Sequence, residues 1–259
     1  MPVELKTPQE VERMRAAGRL VAQILDEVTR LIEPGISTGE LNRVAAKLVE
    51  DAGAEAAFLN YPHPHGGPVF PGVLCTSLNE EVVHGIPSTS VILKEGDILS
   101  VDCGVKLNGF YGDSARTIGI GKLPERTQQL LDVTRQSLHL AIEKCTVGGR
   151  LNELGKAVQD HVEAAGFAVV REFVGHGIGR NLHEEPQVPN FCDGNPKKGL
   201  KFRAGMVIAI EPMVNVGSPE TSTLSDHWTV VTRDRSLSAH FEHTVAITDD
   251  GPLIMTQAA

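Results

Sequence analysis

The chain has 259 residues, of which 41% are hydrophobic and 22% are charged, and its formal net charge is −9. This size allows one large domain or two small ones, and the composition is ordinary for a globular protein. The negative charge argues against direct nucleic-acid binding and against binding to anionic membranes. The polar start, MPVELKTPQEVERMR, predicts no secretory signal. No window approaches about 18 uninterrupted apolar residues, so we expect no membrane-spanning segment.

Four cysteines are widely spaced and include no Cys-x-x-Cys pair. This spacing is typical of neither a zinc knot nor a disulfide framework, and it favours reduced thiols in a cytoplasmic protein. Cys103 follows Asp102 within a predicted strand, so its side chain should point to the opposite face and into the core.

The first part of the chain carries the signals of two helices. Residues 7–10, Thr-Pro-Gln-Glu, form a capping box with proline at the first helical position, and an apolar helical face follows. Pro34 and Gly35 end this helix. Ser37 begins a second helix, which ends at Gly53.

A second pair of helices is predicted at about 125–145 and 152–165. Residues 39–53 (GELNRVAAKLVEDAG) resemble residues 152–166 (NELGKAVQDHVEAAG). Because the similarity falls in the second helix of each pair, it indicates that the helix pair is duplicated.

Short β-like stretches joined by hairpin connections follow each helix pair, which favours antiparallel pairing. Helices on the outer face of an antiparallel sheet define an α+β architecture. We expect one domain over residues 1–259, built from two pseudo-symmetric halves at approximately 8–120 and 124–250. The predicted strands are 72–77, 82–84, 98–105, 110–118, 168–174, 206–214, 228–232 and 242–248.

Two segments repeat one pattern, in which Leu-Lys and a glycine precede an apolar strand that ends in a carboxylate. They are residues 93–102 (LKEGDILSVD) and 200–211 (LKFRAGMVIAIE), which end at Asp102 and Glu211. An unpaired buried charge costs on the order of several kcal/mol. Two such acids in equivalent positions therefore predict a cation held between the halves.

A predicted hairpin brings Asp113 close to Asp102. If Leu107-Asn108 is the turn, Asp102 lies opposite Asp113; if Asn108-Gly109 is the turn, Asp113 faces position 104. Both registers place the two carboxylates on one side of the ribbon. Two close acids without a cation would repel each other, which favours a metal site over surface acids near a turn.

Two histidines and a further acid extend this set. His176 lies between glycines in VGHGIG (174–179), and we expect His84, in VVHGIP (82–87), to be its counterpart in the first half. A lone histidine is more often structural, but two in corresponding positions favour a functional role. Glu242 lies within another predicted strand.

The combined set contains four carboxylates and one imidazole, which is too much negative charge for one small cation and suits two divalent ions. Oxygen-rich ligation with a single nitrogen favours Mn, Fe or Co and allows Zn. Two such ions lower the pKa of a water and polarise a carbonyl, so the chemistry predicted is hydrolysis. The five predicted ligands are Asp102, Asp113, His176, Glu211 and Glu242.

These residues, with Gly-His-Gly-Ile-Gly, Ile-Glu-Pro-Met and Phe-Glu-His-Thr around them, closely resemble the methionine aminopeptidases of the pita-bread metallohydrolase fold. The resemblance covers about Pro8 to Leu253 and is to the short bacterial type I form. It implies removal of the initiator methionine from nascent proteins and peptides with a small second residue, by attack of water activated by two metal ions. It also implies a cytoplasmic monomer with transient ribosome association.

The resemblance implies a role for each residue. Asp102 would bind the first metal, His176 and Glu211 the second, and Asp113 and Glu242 both. Glu211 would also take a proton from the attacking water. His84 would contact the scissile amide, and His183 would stabilise the substrate carbonyl and the tetrahedral intermediate. The methionine pocket would be formed by Cys75, Phe70, Trp228 and Tyr61.

Two features depart from the family pattern. Leu182 stands where many relatives carry an aromatic residue, and the loop 62–69, with His63 and His65, is longer than in the best-known members. Both lie near the presumed pocket rim, so they bear on substrate preference. We expect the two loop histidines not to be additional ligands.

Two alternatives remain. One is a prolidase or aminopeptidase P of the same fold, although those usually carry a separate N-terminal domain. The other is a non-catalytic binding protein on the same scaffold, which should have lost metal ligands. Finally, Met1-Pro2 is itself a sequence that this family processes, so we expect the active enzyme to remove its own Met1.

Overall fold

The computed structural model describes residues 2–64 and 66–257, so Met1 and His65, and the expectations attached to them, lie outside the described residues. The described chain contains four α-helices. They are α1 (Pro8–Arg30), α2 (Thr38–Asp51), α3 (Glu125–Ile142) and α4 (Leu151–Ala164).

The starts of the first two helices are as predicted. The Thr7 hydroxyl accepts a hydrogen bond from Glu10 N at 3.3 Å, and the Glu10 carboxylate accepts one from Thr7 N at 2.9 Å, which completes the capping box. The Ser37 hydroxyl caps α2 by accepting from Glu40 N at 3.1 Å. α3 ends three residues before the predicted Cys145, whose backbone N–H instead closes a turn onto Ile142 O.

The strands of the described residues are short apart from one long hairpin. They are β1 (Glu55–Ala56), β2 (Leu74–Leu78), β3 (Glu81–Val83), β4 (Ile98–Leu107), β5 (Phe110–Gly119), β6 (Ala168–Val169), β7 (Gly175–Gly177), β8 (Glu184–Val188), β9 (Val207–Ile210), β10 (Met213–Asn215), β11 (Thr221–Thr223), β12 (Val230–Thr232), β13 (Ser238–His240), β14 (His243–Thr248) and β15 (Gly251–Ile254).

All assigned strand pairs are antiparallel, as predicted. β1, β2, β4 and β5 form the sheet of the first half, with β4 pairing all three others. In the second half the order is β15-β14-β9-β7-β8. Two three-stranded sheets, β13-β10-β6 and β11-β12-β3, complete the layer. Helix α1 packs on β4 and β5, and α3 packs on α4, so the α+β prediction is confirmed.

Two predicted strands are wrong in extent. The stretch 206–214 is broken after Ile210, because Pro212 has no N–H to donate, and the chain continues as β10 in a different sheet. The stretch 168–174 keeps only Ala168–Val169 as a strand, since residues 172–174 leave the sheet and line a cavity.

The halves join through backbone contacts at the centre of the molecule. Glu242 N donates to Ala115 O at 2.8 Å, and Ala115 N donates back to Glu242 O at 3.4 Å. The Thr244 hydroxyl donates to Asp113 O at 2.7 Å. These bonds place the middle of β5 directly beside the start of β14.

The apolar core follows the repeat. One buried cluster, from Ala17 to Ile120, lies wholly in the first half, and another is drawn almost entirely from the second half. Cys103 is fully buried in the first cluster, so its predicted core position is confirmed. No helix of the described residues is both long enough and apolar enough to cross a membrane.

Candidate metal centre

The β4–β5 hairpin positions the first two acids. Leu107 pairs with Phe110, so the turn is Asn108-Gly109, and the alternative register, with Leu107-Asn108 as the turn, is wrong. Asp113 therefore pairs with Gly104 and lies diagonally across from Asp102 on the same face of the ribbon. Both side chains line one cavity of about 500 Å³.

His176 lies in the middle of β7, between two glycines whose small size is required by their neighbours. A Cβ atom at Gly175 would lie 2.3 Å from Ala209 O, and one at Gly177 would lie 2.2 Å from Glu185 O. The strands on either side therefore approach β7 closely and hold the His176 ring in the cavity. Its Nδ1 lies 2.9 Å from Gly177 O, which leaves Nε2 available as a ligand.

The remaining two acids lie at strand ends in the second half. Glu211 directly follows β9, and Glu242 directly precedes β14 and forms the backbone pair with Ala115. The side chains of both line the same cavity. All five predicted ligands are therefore brought to one place by elements from both halves.

The distances are those of a cluster that could hold metal. One ligand atom from each of Asp113, His176 and Glu242 lies within 4.8 Å of the others. His176 Nε2 lies 3.6 Å from Glu211 Oε1. Asp113 and Glu242 are only 4% and 2% exposed, so water does not solvate their charges freely.

Burial and crowding shift the titration of these groups. Burial, followed by repulsion from Asp113, raises the pKa values of Asp102, Glu211 and Glu242 well above the ordinary carboxyl range. Burial also raises the pKa of Asp113 to about 7 and lowers that of His176 to about 3. A divalent cation reverses the effect, because it stabilises the charged carboxylates and the neutral imidazole.

The donor set fits such a cation. Asp102 Oδ1, Asp113 Oδ1 and Glu242 Oε1 are buried atoms with no hydrogen-bond partner among the described residues. Buried polar atoms are rarely left unpaired, and three such carboxylate oxygens in one cluster fit the binding of a cation. Carboxylates with one imidazole suit Mn, Fe, Co or Zn.

The two predicted catalytic histidines also line this cavity. The ring of His183 lies 4.4 Å from that of His176, and the ring of His84 lies 6.2 Å from that of Trp228. Burial lowers the pKa of His84 to about 4 and also lowers the pKa of His183. Both rings are thus neutral near pH 7, although solvent reaches His183 at the cavity mouth.

Strand pairing corrects the predicted equivalence of His84 and His176. His176 pairs with Ala209, two residues before Glu211, whereas the position two residues before Asp102 pairs with Ser77. Ser77, and not His84, therefore occupies the position corresponding to His176. His84 follows β3 with a φ of 60°, a left-handed conformation that is uncommon for histidine.

The predicted methionine-pocket residues line the apolar end of the cavity. Phe70 and Trp228 meet edge to face with their ring centroids 5.3 Å apart. Leu182 fills the adjacent wall and is 5% exposed. The wall also includes Cys75, Tyr61, Phe58 and Phe173.

The long loop 62–69 is fastened to this wall. Trp228 Nε1 donates to Pro68 O at 2.9 Å. His63 lies edge to face against the Trp228 ring at 5.0 Å, and its Nε2 is 3.0 Å from His227 O. Contacts with Trp228 and His227 therefore position His63.

One neighbour of the centre was missed in the sequence. His240 is 2% exposed, and its Nε2 has no hydrogen-bond partner in the described part of the chain but lies 3.9 Å from Glu211 Oε2. It lies two residues before Glu242, on the same face of the chain, which is the signal that could have identified it.

A duplicated α+β fold with a buried, oxygen-rich cluster at the junction of its halves defines the class as a metal-dependent hydrolase. The profile of metallopeptidase family M24 matches residues 12–249. The chain belongs to this family, which also confirms the pita-bread fold.

Similar proteins of known identity or known structure support the same family assignment. The methionine aminopeptidase of Clostridium acetobutylicum is 48% identical over 97% of this chain and 98% of its own length. Methionine aminopeptidase 1 of Bacillus subtilis is 49% identical with the same coverage. The crystal structure of methionine aminopeptidase from Thermotoga maritima superimposes with a TM-score of 0.93 at 42% identity, over 99% of this chain and 100% of that one.

A more distant structure shares only the fold. The prolidase from Pyrococcus horikoshii has a TM-score of 0.76 at 20% identity, and the match covers 98% of this chain but 64% of the prolidase.

Proposed function

We propose that this chain is a metalloaminopeptidase that removes N-terminal methionine from proteins and peptides with a small second residue. The observation that carries the proposal is the single cavity in which five metal-type ligands adjoin an apolar wall of Phe70, Trp228 and Cys75. The ligands suit hydrolysis, and the wall suits an unbranched apolar side chain such as that of methionine.

Each ligand has a part in this proposal. Asp102 would help to hold one divalent ion, His176 and Glu211 would help to hold a second, and Asp113 and Glu242 would contribute to both. The ions would be Co, Mn, Fe or Zn, and they supply Lewis acidity, which lowers the pKa of water and polarises a carbonyl. Glu211, whose side chain lines the same cavity, would also be the base that accepts a proton from the attacking water.

The two cavity histidines act on the substrate. His84, beside Trp228, donates to or accepts from the scissile amide. His183, at the cavity mouth, donates a hydrogen bond from a ring N–H to the substrate carbonyl oxygen and to the oxyanion that forms from it. A neutral ring can serve in both roles, in agreement with the lowered pKa values of the two histidines.

The cellular setting follows from this activity. We infer one domain over residues 1–259, acting as a cytoplasmic monomer on the N-termini of nascent chains, with transient ribosome association. The sharing of one cavity by both halves supports the single domain.

Hydrolysis of matched peptides tests the substrate class. Met-Gly-Ser-Met should be cleaved after its first residue by the Mn²⁺-loaded protein, whereas Leu-Pro-Ser-Met should be cleaved at least about 100-fold more slowly in kcat/KM, a difference of about 2.7 kcal/mol in transition-state binding. Preferential cleavage of the Xaa-Pro peptide would instead identify a prolidase-like enzyme. Loss of cleavage in Asp113→Asn, with retention in the surface control Asp193→Asn, would tie the activity to this cavity.

A further inference from the structure

His183 makes one hydrogen bond that gives its ring a direction. Tyr61 Oη lies 2.7 Å from His183 Nδ1, and the two rings meet edge to face with centroids 5.5 Å apart. Burial raises the pKa of the Tyr61 phenol, so the hydroxyl keeps its proton. A neutral histidine ring carries one proton, on one of its two nitrogens.

The chemistry of the two partners selects the donor. An unprotonated imidazole nitrogen is a far stronger base than a phenol oxygen, so the favourable arrangement is O–H of Tyr61 donating to Nδ1 of His183. The 2.7 Å separation is typical of a hydroxyl donor. With Nδ1 accepting, the ring proton must lie on Nε2.

We infer that Tyr61 is a positioning residue that holds His183 in the Nε2–H tautomer, with the N–H directed at the substrate's carbonyl oxygen. The inference rests on the proposed function, because the proposed substrate supplies the carbonyl oxygen that would accept from Nε2–H. It assigns Tyr61 a role that differs from lining a pocket for the methionine side chain.

The surroundings hold both partners in place. The backbone of Tyr61 is fixed on both sides, because its N–H donates to Phe58 O at 2.9 Å and its C=O accepts from Phe70 N at 3.0 Å. The intervening loop 62–69 is fastened at its far side by the bond from Trp228 Nε1 to Pro68 O. Loop 62–69 therefore begins directly after Tyr61, whose backbone is fixed.

The chain that follows His183 is anchored, because β8 begins at the next residue and pairs there with Gly177 of β7. The next residue, Glu184, accepts from Lys6 Nζ at 2.7 Å and from Asn181 N at 3.0 Å. The Lys6 side chain is 1% exposed, so this ion pair is shielded from water. The Tyr61 hydroxyl is the contact that selects which ring nitrogen accepts and which carries the proton.

The chain contains two tyrosines, which provides a matched pair of variants. Tyr61→Phe removes the hydroxyl and keeps the ring. Tyr111→Phe removes a hydroxyl from the half-buried tyrosine of β5, which does not line the cavity. Long-range ¹H–¹⁵N spectra of Zn²⁺-loaded protein labelled at histidine report the tautomer of each ring, with His183→Ala assigning the signals.

The wild type and Tyr111→Phe should show His183 protonated on Nε2, and Tyr61→Phe should show both tautomers. With Met-Gly-Ser-Met, Tyr61→Phe should lower kcat about threefold to tenfold and leave KM within about twofold, because the lost bond acts on the transition state. In a His183→Ala background the same change should have no further effect, since Tyr61 acts through His183.

Three results would overturn the inference: an Nδ1–H tautomer in the wild type, an effect of Tyr61→Phe on KM alone, or an undiminished effect in the His183→Ala background. The spectra need no substrate. A wild type that cleaves no methionyl peptide would therefore refute the proposed function and leave the tautomer of His183 measurable.

Discussion

Glu81 shows at the scale of one residue what burial does to an acid that has no metal to neutralise it. It lies in β3, outside the five ligands, and its carboxylate accepts from Leu78 N at 2.8 Å. Burial raises its pKa to about 7; the bond from Leu78 opposes that shift, and the charges of Glu80 and Asp226 add to it. Folding therefore favours the protonated form of this side chain.

The sign of the pH effect follows from the raised pKa. Between the ordinary value of 4.5 and about 7, the folded protein binds more protons at Glu81 than the unfolded chain does. The stability that Glu81 contributes is fully present below pH 4.5 and is lost as pH rises through about 7.

Glu81→Gln removes this titration and keeps an oxygen that can accept from Leu78 N. We expect the free energy of unfolding of the wild type, relative to that of the variant, to fall by about 1–2 kcal/mol between pH 4.5 and 7.5. Urea unfolding across this range measures the difference. Glu220→Gln, at an exposed carboxylate 3.0 Å from Arg233, should run parallel to the wild type; a Glu81→Gln curve that also runs parallel would contradict the prediction.

At the same scale, the sequence identifies residues whose type conflicts with their surroundings. Asp102 and Glu211 could be singled out because a carboxylate in an apolar strand is costly unless it is paired. His240 gave a weaker signal, its spacing of two residues from Glu242, because a histidine in a short strand is usually a core residue. Likewise, the bond from Tyr61 to His183 joins residues 122 positions apart, and no local pattern encodes it.

At the scale of elements, the contact between α1 and β5 is close because a glycine, Gly112, faces the helix backbone. A Cβ atom at Gly112, in β5, would lie 2.8 Å from Gly18 N and 2.9 Å from Ala17 C, both backbone atoms of α1. A helix backbone cannot yield as a flexible side chain can. The close approach also holds β5, and hence Asp113, against the helix layer.

Gly112→Ala should therefore push α1 away from the sheet and lower the free energy of unfolding by about 2–4 kcal/mol. Gly194→Ala is the control, because a Cβ atom there meets nothing within 4 Å. Urea unfolding compares the two. A Gly112→Ala protein as stable as the Gly194→Ala protein would show that helix and strand are less tightly apposed than the structure indicates.

Helices were easier to predict than strands, for physical reasons. The start of α1 is determined by residues next to each other in the chain, Thr7 to Glu10, so a local pattern is sufficient. Strand ends depend on partner strands that are distant in the chain. β9 ends at Ile210 and β6 ends at Val169 for this reason, and neither end is set by the neighbouring residues alone. The hairpin turn was ambiguous because Asn108 fits either register.

At the scale of the whole molecule, the proposed metal ligands are divided between the halves. Asp102 and Asp113 come from the first, whereas His176, Glu211 and Glu242 come from the second. The internal repeat predicted that the halves would face each other. It did not predict the backbone pair between Ala115 and Glu242, because a repeat does not reveal which edges meet.

Bound cations should therefore hold the halves together as well as supply chemistry. Their removal leaves crowded carboxylates whose mutual repulsion opposes folding, and their addition should stabilise the folded state by about 2.7 kcal/mol at a metal concentration of 100 Kd. Metal affinity therefore depends both on the ligand set and on the contact between the two halves.

Calorimetric titration of the metal-free protein with Mn²⁺ tests the site directly, with Asp113→Asn and the surface variant Asp193→Asn measured alongside. Asp193 pairs with Arg171 at 2.7 Å, away from the cavity. We predict saturable binding to the wild type and to Asp193→Asn, and at least about tenfold weaker binding to Asp113→Asn. Equal affinity in all three proteins, or no binding to the wild type, would contradict a metal centre built from these side chains.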